Sequence, residues 1–427
     1  MAENHEWGFD TKQLHAGLTL DTDSRSRALP IYQTTSYVFE SNEQARGRFA
    51  LTDAGPIYTR ITNPTQQQVE DRIAALYNGA GGLLLSSGSA AIFYAIVNVA
   101  TAGHNIVSSP SLYGGTYNQF KHVLPSFGIE VRWVENPDDP ASWAKEIDEN
   151  TRALFGETIP NPRQDILDVE AVAQVAHAHG VPLIVDNTIA TPANGNPFDW
   201  GADVVADSAT KFLGGHGTTI AGVVVEKGDF DWRNGKFPGI AEPDESYHGL
   251  VFADTGAPFV TRIRATLLRD TGAAITPLAA WQIGIGLETL SLRVDRHLEN
   301  TKRVVEHLVD HPGVKSVNYA GLVSNPYYER AQKYTPKGPG SVFTIDIDGG
   351  LEEASRFVEA LQLFSNLANI GDAKSLVVHP ASTTHSQLSE QELLDIGITP
   401  ATVRLSIGIE DVRDIIADLD QALAAIK

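Results

Sequence analysis

Lys211 stands in the stretch Gly201–Gly222, GADVVADSATKFLGGHGTTIAG. Val204, Val205 and Ala206 read as a buried strand, so Lys211 falls at the rim of a core. A lysine held in a partly apolar pocket has a depressed pKa and becomes a usable amine nucleophile, of the kind that forms a Schiff base with a carbonyl. Ser208 and Thr210 flank it with hydroxyl donors suited to a phosphate. Gly214, Gly215 and Gly217 allow close backbone approach. The segment alone also fits a snorkelling surface lysine before a glycine-rich turn.

Asp186 adds to the first reading. PLIVDNT ends an apolar strand in a carboxylate, 25 residues before Lys211. A buried carboxylate needs a cationic or hydrogen-bonding partner. A pyridinium nitrogen is such a partner, and keeping it protonated makes the ring an electron sink. Thr188 is placed to lie against such a ring; otherwise Asp186 reads as a cap for the next helix. Ser87-Gly88-Ser89 precede a helical apolar pattern, and a helix N-terminus binds a phosphate dianion well. Tyr113, in SLYGGTYN, suits stacking on a flat cofactor, or plain packing. Asn161, in Pro160-Asn161-Pro162, also reads as a turn residue. Tyr58 and Arg60, in IYTRITNPT, join a phenol to a positive charge. Arg404, in VRLSIGIED, offers a bidentate fork for a carboxylate, or a local ion pair with Glu410 or Asp411. An amine, a carboxylate for a ring nitrogen and a phosphate cradle together point to pyridoxal 5'-phosphate.

The elements that must position these residues alternate. From about 71 to 275, β-rich runs fall at Asn105–Ser109, Glu130–Val134, Ala153–Glu157, Pro182–Asp186, Asp203–Asp207 and Thr219–Glu226, with helical patterns such as Asp168–Ala178 between them. Such alternation implies a mostly parallel sheet with helices on both faces, and ligands bind beyond the carboxyl ends of its strands. Asp186 and Lys211 lie just past such ends. Residues 1–70 look irregular and too thin to fold alone, which suggests an arm that wraps another surface. From 276 to 427 a helical pattern over Pro277–His311 precedes a mixture of strands (Ser341–Ile347, Thr402–Ile407) and helices (Leu351–Leu363, Val412–Ile426), a smaller α/β unit.

Bulk properties narrow the function. The 427 residues carry a net charge of −21, which argues against nucleic acid or an anionic membrane as partner. Cysteine is absent, which excludes disulfides, thiolate metal sites and a cysteine nucleophile. The first residues show no signal-peptide core and no apolar run approaches the roughly 20 residues of a spanning helix, so the expectation is a cytoplasmic protein. The 13 histidines are scattered, with no H-E-x-x-H, and no metal is expected. No G-x-G-x-x-G or Walker lysine supports a nucleotide site. LSSGSAA does not match the G-x-S-x-G elbow of a serine hydrolase.

The blocks IYTRITNPT, SSGSAA, LYGGTYN, ETIPNP, PLIVDNT, DSATKFLGGHG and the tail SLVVHPASTTHSQLSEQELLDIGITPATVRLSIGIED occur in that order. Together they resemble the Cys/Met-metabolism family of fold type I pyridoxal-phosphate enzymes over nearly the whole chain. The resemblance implies the fold type I architecture, a mostly parallel central sheet plus a smaller C-terminal α/β domain. It implies that Lys211 carries the cofactor as a Schiff base, that Asp186 pairs with its ring nitrogen, and that Tyr113 and Thr188 lie against the ring. Ser208, Thr210, Gly88 and Ser89 would hold the phosphate, joined by Tyr58 and Arg60 of a neighbouring subunit. Asn161 would sit near the phenolic oxygen and the substrate, and Arg404 with Ser375 would grip the substrate carboxylate. Tyr58 and Tyr113 would assist proton transfer.

The chain departs from the family pattern at Ser89, where methionine is usual, and in DSAT, which lacks a histidine before the serine. Gly115 stands where methionine γ-lyases typically carry cysteine. An insertion over Phe230–Ile263, with FDTKQLHAG near the start, is similar to the sulfhydrylase branch. That branch implies γ-replacement on O-acetylhomoserine by sulfide or a small thiol, in methionine biosynthesis, within a homotetramer built from dimers with shared sites. Cystathionine γ-synthases and γ-lyases of the same family are the alternative.

Overall fold

A computed structural model of the chain describes residues 7–384, 390–395 and 397–426. The first six residues of the arm, and positions 385–389 and 396 of the tail quoted above, lie outside the described residues.

The larger sheet contains β1 (Gly81–Leu85), β2 (Asn105–Ser108), β3 (Glu130–Trp133), β4 (Thr151–Glu157), β5 (Leu183–Asp186), β6 (Val204–Asp207) and β7 (Gly222–Glu226), in the order β1-β7-β6-β5-β4-β2-β3. β7 runs antiparallel to both β1 and β6, and the remaining pairings are parallel. The period of two along each strand divides the apolar residues between two cores. Leu84, Leu183, Val185 and Val205 pack on one face with Val69, Ile73, Val172 and Ile283. Leu83, Leu85, Ile184 and Val204 pack on the other with Ile92, Ile96, Phe120 and Phe259. Covering both faces of a parallel sheet in this way explains the near-continuous apolar runs of its strands. The second sheet contains β8 (Val314–Asn318), β9 (Val342–Ile347), β10 (Ser365–Asn366), β11 (Leu376–Val378) and β12 (Thr402–Ser406), in the order β10-β11-β12-β9-β8.

Several expectations need correction. The helical pattern at Pro277–His311 forms two helices, Pro277–Leu287 and Leu290–Val309, with Thr289 out of helical geometry between them. The break brings Gly286 and Arg293 against the turn after Lys211: a Cβ at 286 would stand 2.3 Å from the Gly214 carbonyl oxygen. The arm is not wholly irregular. It contains helices Phe9–His15 and Asn42–Phe49, and the Gln13 amide exchanges hydrogen bonds with Ser291 at 2.9 and 3.1 Å. Residue 70, the expected end of the arm, lies inside the helix Pro64–Tyr77. The insertion Phe230–Ile263 folds into short helical turns whose Trp232, Phe237, Ile240, Tyr247, Phe252 and Phe259 are buried on one face of the larger sheet.

Candidate active site

The carboxyl ends of β4, β5 and β6 open onto a cavity of about 260 Å³. Gly88, Ser89, Tyr113, Asn161, Asp186, Thr188, Ser208, Thr210, Lys211 and Arg404 all line it. Residues singled out across more than 300 positions of sequence thus meet in one place.

The helix Gly88–Val97 starts at one end of the cavity, with the Ser87 hydroxyl accepting the Ala90 N–H. This leaves the N–H groups of Gly88 and Ser89 at an open helix terminus. A Cβ at Gly88 would come within 2.7 Å of the Ser208 Cβ, so only glycine lets helix and serine approach this closely. Thr210 also lines the cavity, but its hydroxyl exchanges hydrogen bonds with the Ala221 backbone at 3.0 and 2.9 Å. As a phosphate donor it is therefore weaker than its sequence position implied. Thr188 accepts the Ser208 N–H at 2.9 Å and its own N–H donates to Asp186 at 2.9 Å, which couples the two strand ends.

Burial raises the Asp186 pKa to about 6 against the lowering effect of Thr188 hydrogen bonds and of Lys211. Lys211 is lowered to about 8, first by burial and then by the like charge of Arg404, with Asp186 opposing. Its Nζ donates to Asn369 Oδ1 at 2.5 Å. Arg404, on β12 and 5% exposed, donates to the Asn369 carbonyl at 3.2 Å and to Asn161 Oδ1 at 3.5 Å. Burial lowers its pKa to about 10. The two carboxylates weighed as its local partners are engaged elsewhere. Glu410 accepts from Ser375, and Asp411 pairs with Arg413 at 2.6 Å. A buried guanidinium with no carboxylate in contact among the described residues is an anion receptor awaiting its anion.

Three expected residues do not line the cavity. Ser375 is fully buried; its hydroxyl donates to Glu410 at 3.0 Å and accepts the Gly408 N–H at 2.9 Å. It braces the loop after β12, and its hydroxyl is turned away from the cavity toward Glu410. Tyr58 is exposed, with the Arg60 guanidinium 5.4 Å from its ring centre, and Arg60 donates to the Arg269 carbonyl. Neither belongs to the cavity of its own chain.

Asn369 and Glu157 are among the cavity residues that sequence reasoning missed. Asn369 follows a β-poor stretch, LFSNLAN, and carries no charge pattern to mark it. Glu157 was read only as the end of a strand; its carboxyl accepts the Tyr113 N–H at 2.6 Å. The Tyr113 ring has room because position 115 is glycine: a Cβ there would stand 2.4 Å from Tyr113 Cε1. Away from the site, His307, His311 and Asp420 bring one ligand atom each within 4.8 Å of one another, a cluster that the scattered histidine pattern did not foretell. The Gly313 N–H donates to His311 Nδ1, and His311 Nε2 stands 3.7 Å from Asp420. The His307–Asp420 hydrogen bond at 2.6 Å joins the helices Leu290–Val309 and Val412–Ala424.

A helix N-terminus beside Ser208, an amine, a buried carboxylate and an aromatic wall fit a phosphorylated pyridine aldehyde, and these features on this two-sheet scaffold define a fold type I pyridoxal-phosphate enzyme. The chain belongs to the Cys/Met metabolism PLP-dependent enzyme family, whose model matches residues 10–424. It is 52% identical to an O-acetyl-L-homoserine sulfhydrylase of Corynebacterium glutamicum over 99% of this chain and 98% of that one. It is 48% identical to an O-acetyl-L-homoserine sulfhydrylase of Thermus thermophilus, covering 97% of this chain and all of the other. A solved structure from Campylobacter jejuni, described as an O-acetylhomoserine (thiol)-lyase with a pyridoxyl-lysine monophosphate, superposes with a TM-score of 0.95 at 43% identity, over 98% of this chain and all of that one.

Proposed function

We infer that the chain catalyses γ-replacement on O-acetyl-L-homoserine: acetate leaves Cγ, and sulfide or a small thiol such as methanethiol takes its place, giving L-homocysteine or L-methionine. The observation that carries the reading is the buried Arg404 fork, with no carboxylate in contact among the described residues, lining the same cavity as Lys211. An α-amino acid laid between them presents its carboxylate to Arg404 and its Cα–H to the amine. Bound pyridoxal phosphate supplies an imine link to Lys211 and a ring that takes up the electrons left at Cα.

The chain's own residues do the rest. Gly88, Ser89 and Ser208 hold the phosphate. Asp186 holds a negative charge opposite the ring nitrogen. Lys211, with an amine pKa near 8, is neutral often enough at physiological pH to take the Cα proton and to move protons at Cβ. Tyr113 stands beside the path of those protons at the cavity wall. Ile159 and Ile189 line the same cavity and limit water there.

The proposal extends to assembly. Tyr58 and Arg60 lie exposed outside their own cavity, and the exposed Leu278, Ile285 and Leu292 offer an apolar face to a second copy. We place Tyr58 and Arg60 of one copy at the phosphate of its neighbour, with Tyr58 assisting proton transfer, in a cytoplasmic homotetramer built from dimers. The N-terminal arm, which gives way to the cofactor domain at the helix Pro64–Tyr77, serves the shared site; the cofactor domain runs on to about residue 275, and 276–427 form the smaller domain.

Borohydride reduction of the yellow protein followed by peptide mapping tests the cofactor site; the expected adduct is on Lys211. O-acetylhomoserine assayed with sulfide, with cysteine and without thiol tests the reaction. Faster turnover with cysteine, or α-ketobutyrate as the main product, overturns γ-replacement by sulfide in favour of a cystathionine γ-synthase or a γ-lyase.

A further inference from the structure

Three carboxyl groups close the ends of three adjoining strands: Glu157 on β4, Asp186 on β5 and Asp207 on β6. The reaction as derived uses only Asp186. Glu157 pairs in register with Asp186 across parallel strands, so both side chains leave the same face of the sheet. Glu157 is 5% exposed and forms part of the cavity wall. Its partners are backbone donors: the N–H of Tyr113 at 2.6 Å, and the N–H of Asn161. The flanking cations Arg152 and Arg163 are engaged elsewhere, Arg152 with the Glu149 carbonyl and Arg163 with Asp165. Among the described residues, Glu157 has no ion pair.

Two carboxylates facing each other without a cation between them do not both ionise readily. Asp186 has the Thr188 hydrogen bonds and the Lys211 charge on its side. Burial and the Asp186 charge push Glu157 well above the usual carboxylate range, against the lowering effect of its two N–H donors. The pair thus favours the proton on Glu157 and the charge on Asp186.

We propose that Glu157 is a positioning residue of this site: a neutral carboxylic acid that pins the Tyr113 backbone and the Asn161 turn to the end of β4, leaving Asp186 as the carboxylate charge that faces the cofactor ring. Tyr113 has a half-exposed side chain, so its ring is placed by where its backbone is held. Asn161 receives Arg404 through its side-chain oxygen and gives its backbone N–H to Glu157. One carboxyl group thus sets the wall that stacks on the ring and steadies the receptor for the substrate carboxylate. The inference rests on the pyridoxal-phosphate reading of the cavity.

The test compares wild-type holoenzyme with Glu157→Gln and Glu157→Ala. A glutamine oxygen accepts the same two N–H groups and carries no charge. Glu157→Gln is expected to keep cofactor affinity and KM within about threefold and to leave the pH titration of the cofactor absorbance unmoved. Glu157→Ala is expected to weaken cofactor binding and raise KM by about tenfold or more, with a smaller change in kcat. Infrared spectra in D2O supply a readout that does not depend on the alanine variant folding. The wild-type minus Glu157→Gln difference spectrum should show a protonated-carboxyl C=O band, since the raised carboxyls of Asp207 and Glu226 are common to both and cancel. Absence of that difference band overturns the proposal. So does a glutamine variant as damaged as the alanine one, or an alanine variant indistinguishable from wild type. If wild type itself forms no borohydride adduct on Lys211, the cofactor reading has failed instead.

Discussion

Lys211 Nζ donates to Asn369 Oδ1 at 2.5 Å, while the Asn369 backbone carbonyl accepts from Arg404. One asparagine thus bonds both the amine and the guanidinium, two like charges, and the guanidinium lowers the proton affinity of the amine. The amine pKa of about 8 is set by burial and by Arg404. The acceptor oxygen of Asn369 pulls the other way, since it favours the charged ammonium.

The neutral amine is the form that condenses with an aldehyde. Loading of pyridoxal phosphate onto apo-protein is therefore expected to quicken with rising pH and level off above about 8. Asn369→Ala removes an acceptor that favours the ammonium, so the inflection moves to lower pH. Arg404→Ala removes a positive neighbour, so it moves to higher pH. Each shift is expected to be about one unit, or about 1.4 kcal/mol. Stopped-flow absorbance across the pH range reads both, and movement of the two variants in the same direction would contradict the arrangement. Arg404→Ala should also raise KM about a hundredfold, the loss of about 3 kcal/mol from a charge-assisted pair.

Asp207 gives a prediction in stability. It accepts the Asn187 N–H at 2.7 Å and the Tyr77 hydroxyl. Burial and the Asp186 charge raise its pKa to about 8. A carboxyl raised in the folded state binds its proton more tightly there than in the unfolded chain. Stability then falls as pH rises from the ordinary carboxyl range through about 8. Asp207→Asn stays neutral throughout, so its melting temperature should decline less between about pH 5 and 8 than that of wild type. Asp186→Asn should behave differently. It removes the charge opposite the ring nitrogen and should lower kcat/KM about a hundredfold, or about 3 kcal/mol.

These neighbours show where sequence reasoning reaches and where it stops. Lys211 and Asp186 were legible because strand-end polar residues after apolar runs stand out, and because a parallel sheet gathers such ends. Gly88 was legible as a helix start. β1 was not, since GGLLL carries too few residues to distinguish a buried strand from a turn. β8, VKSVN, has no fully buried residue and only Val314 and Val317 to pack against the core, at a spacing that does not alternate. Asn369 was not singled out and Ser375 was: both lie in one loop-rich segment, and only the fold shows which side chain turns to the cavity and which turns to Glu410. Glu157 was hidden for another reason. Its role depends on register with Asp186, a relationship between strands that no local pattern contains.

The placement of Tyr58 and Arg60 outside their own cavity yields a test of shared sites. Arg60→Ala and Lys211→Ala are each expected to lose most activity alone. In mixed dimers, one site combines an intact Lys211 from one copy with an intact Arg60 from the other. Co-refolded mixtures should regain up to about a quarter of wild-type activity, as random pairing of copies requires. If the mixture is no more active than the average of its components, Arg60 acts within its own chain.

Arg293 and Gly215 carry the last prediction. Arg293 is 4% exposed and donates to the Phe212 and Gly286 carbonyls at 2.7 Å each, and to the Leu213 carbonyl at 3.4 Å. Burial lowers its pKa to about 10, so it remains charged and clasps the turn that carries Lys211. Gly215 has φ +72°, and a Cβ there would lie 2.0 Å from Arg293 Nη1. Gly215→Ala therefore adds two penalties: about 1–2 kcal/mol for a left-handed alanine, and several more for displacing a buried charge from its acceptors. Gly235, with φ +91° and nothing within 4 Å of its Cβ position, isolates the first penalty. Gly235→Ala should cost about 1–2 kcal/mol and keep full cofactor occupancy. Gly215→Ala should melt at a distinctly lower temperature and lose cofactor absorbance, because the Lys211 turn moves with the guanidinium. Equal melting temperatures and equal absorbance in the two variants would show that the turn is held by something other than Arg293.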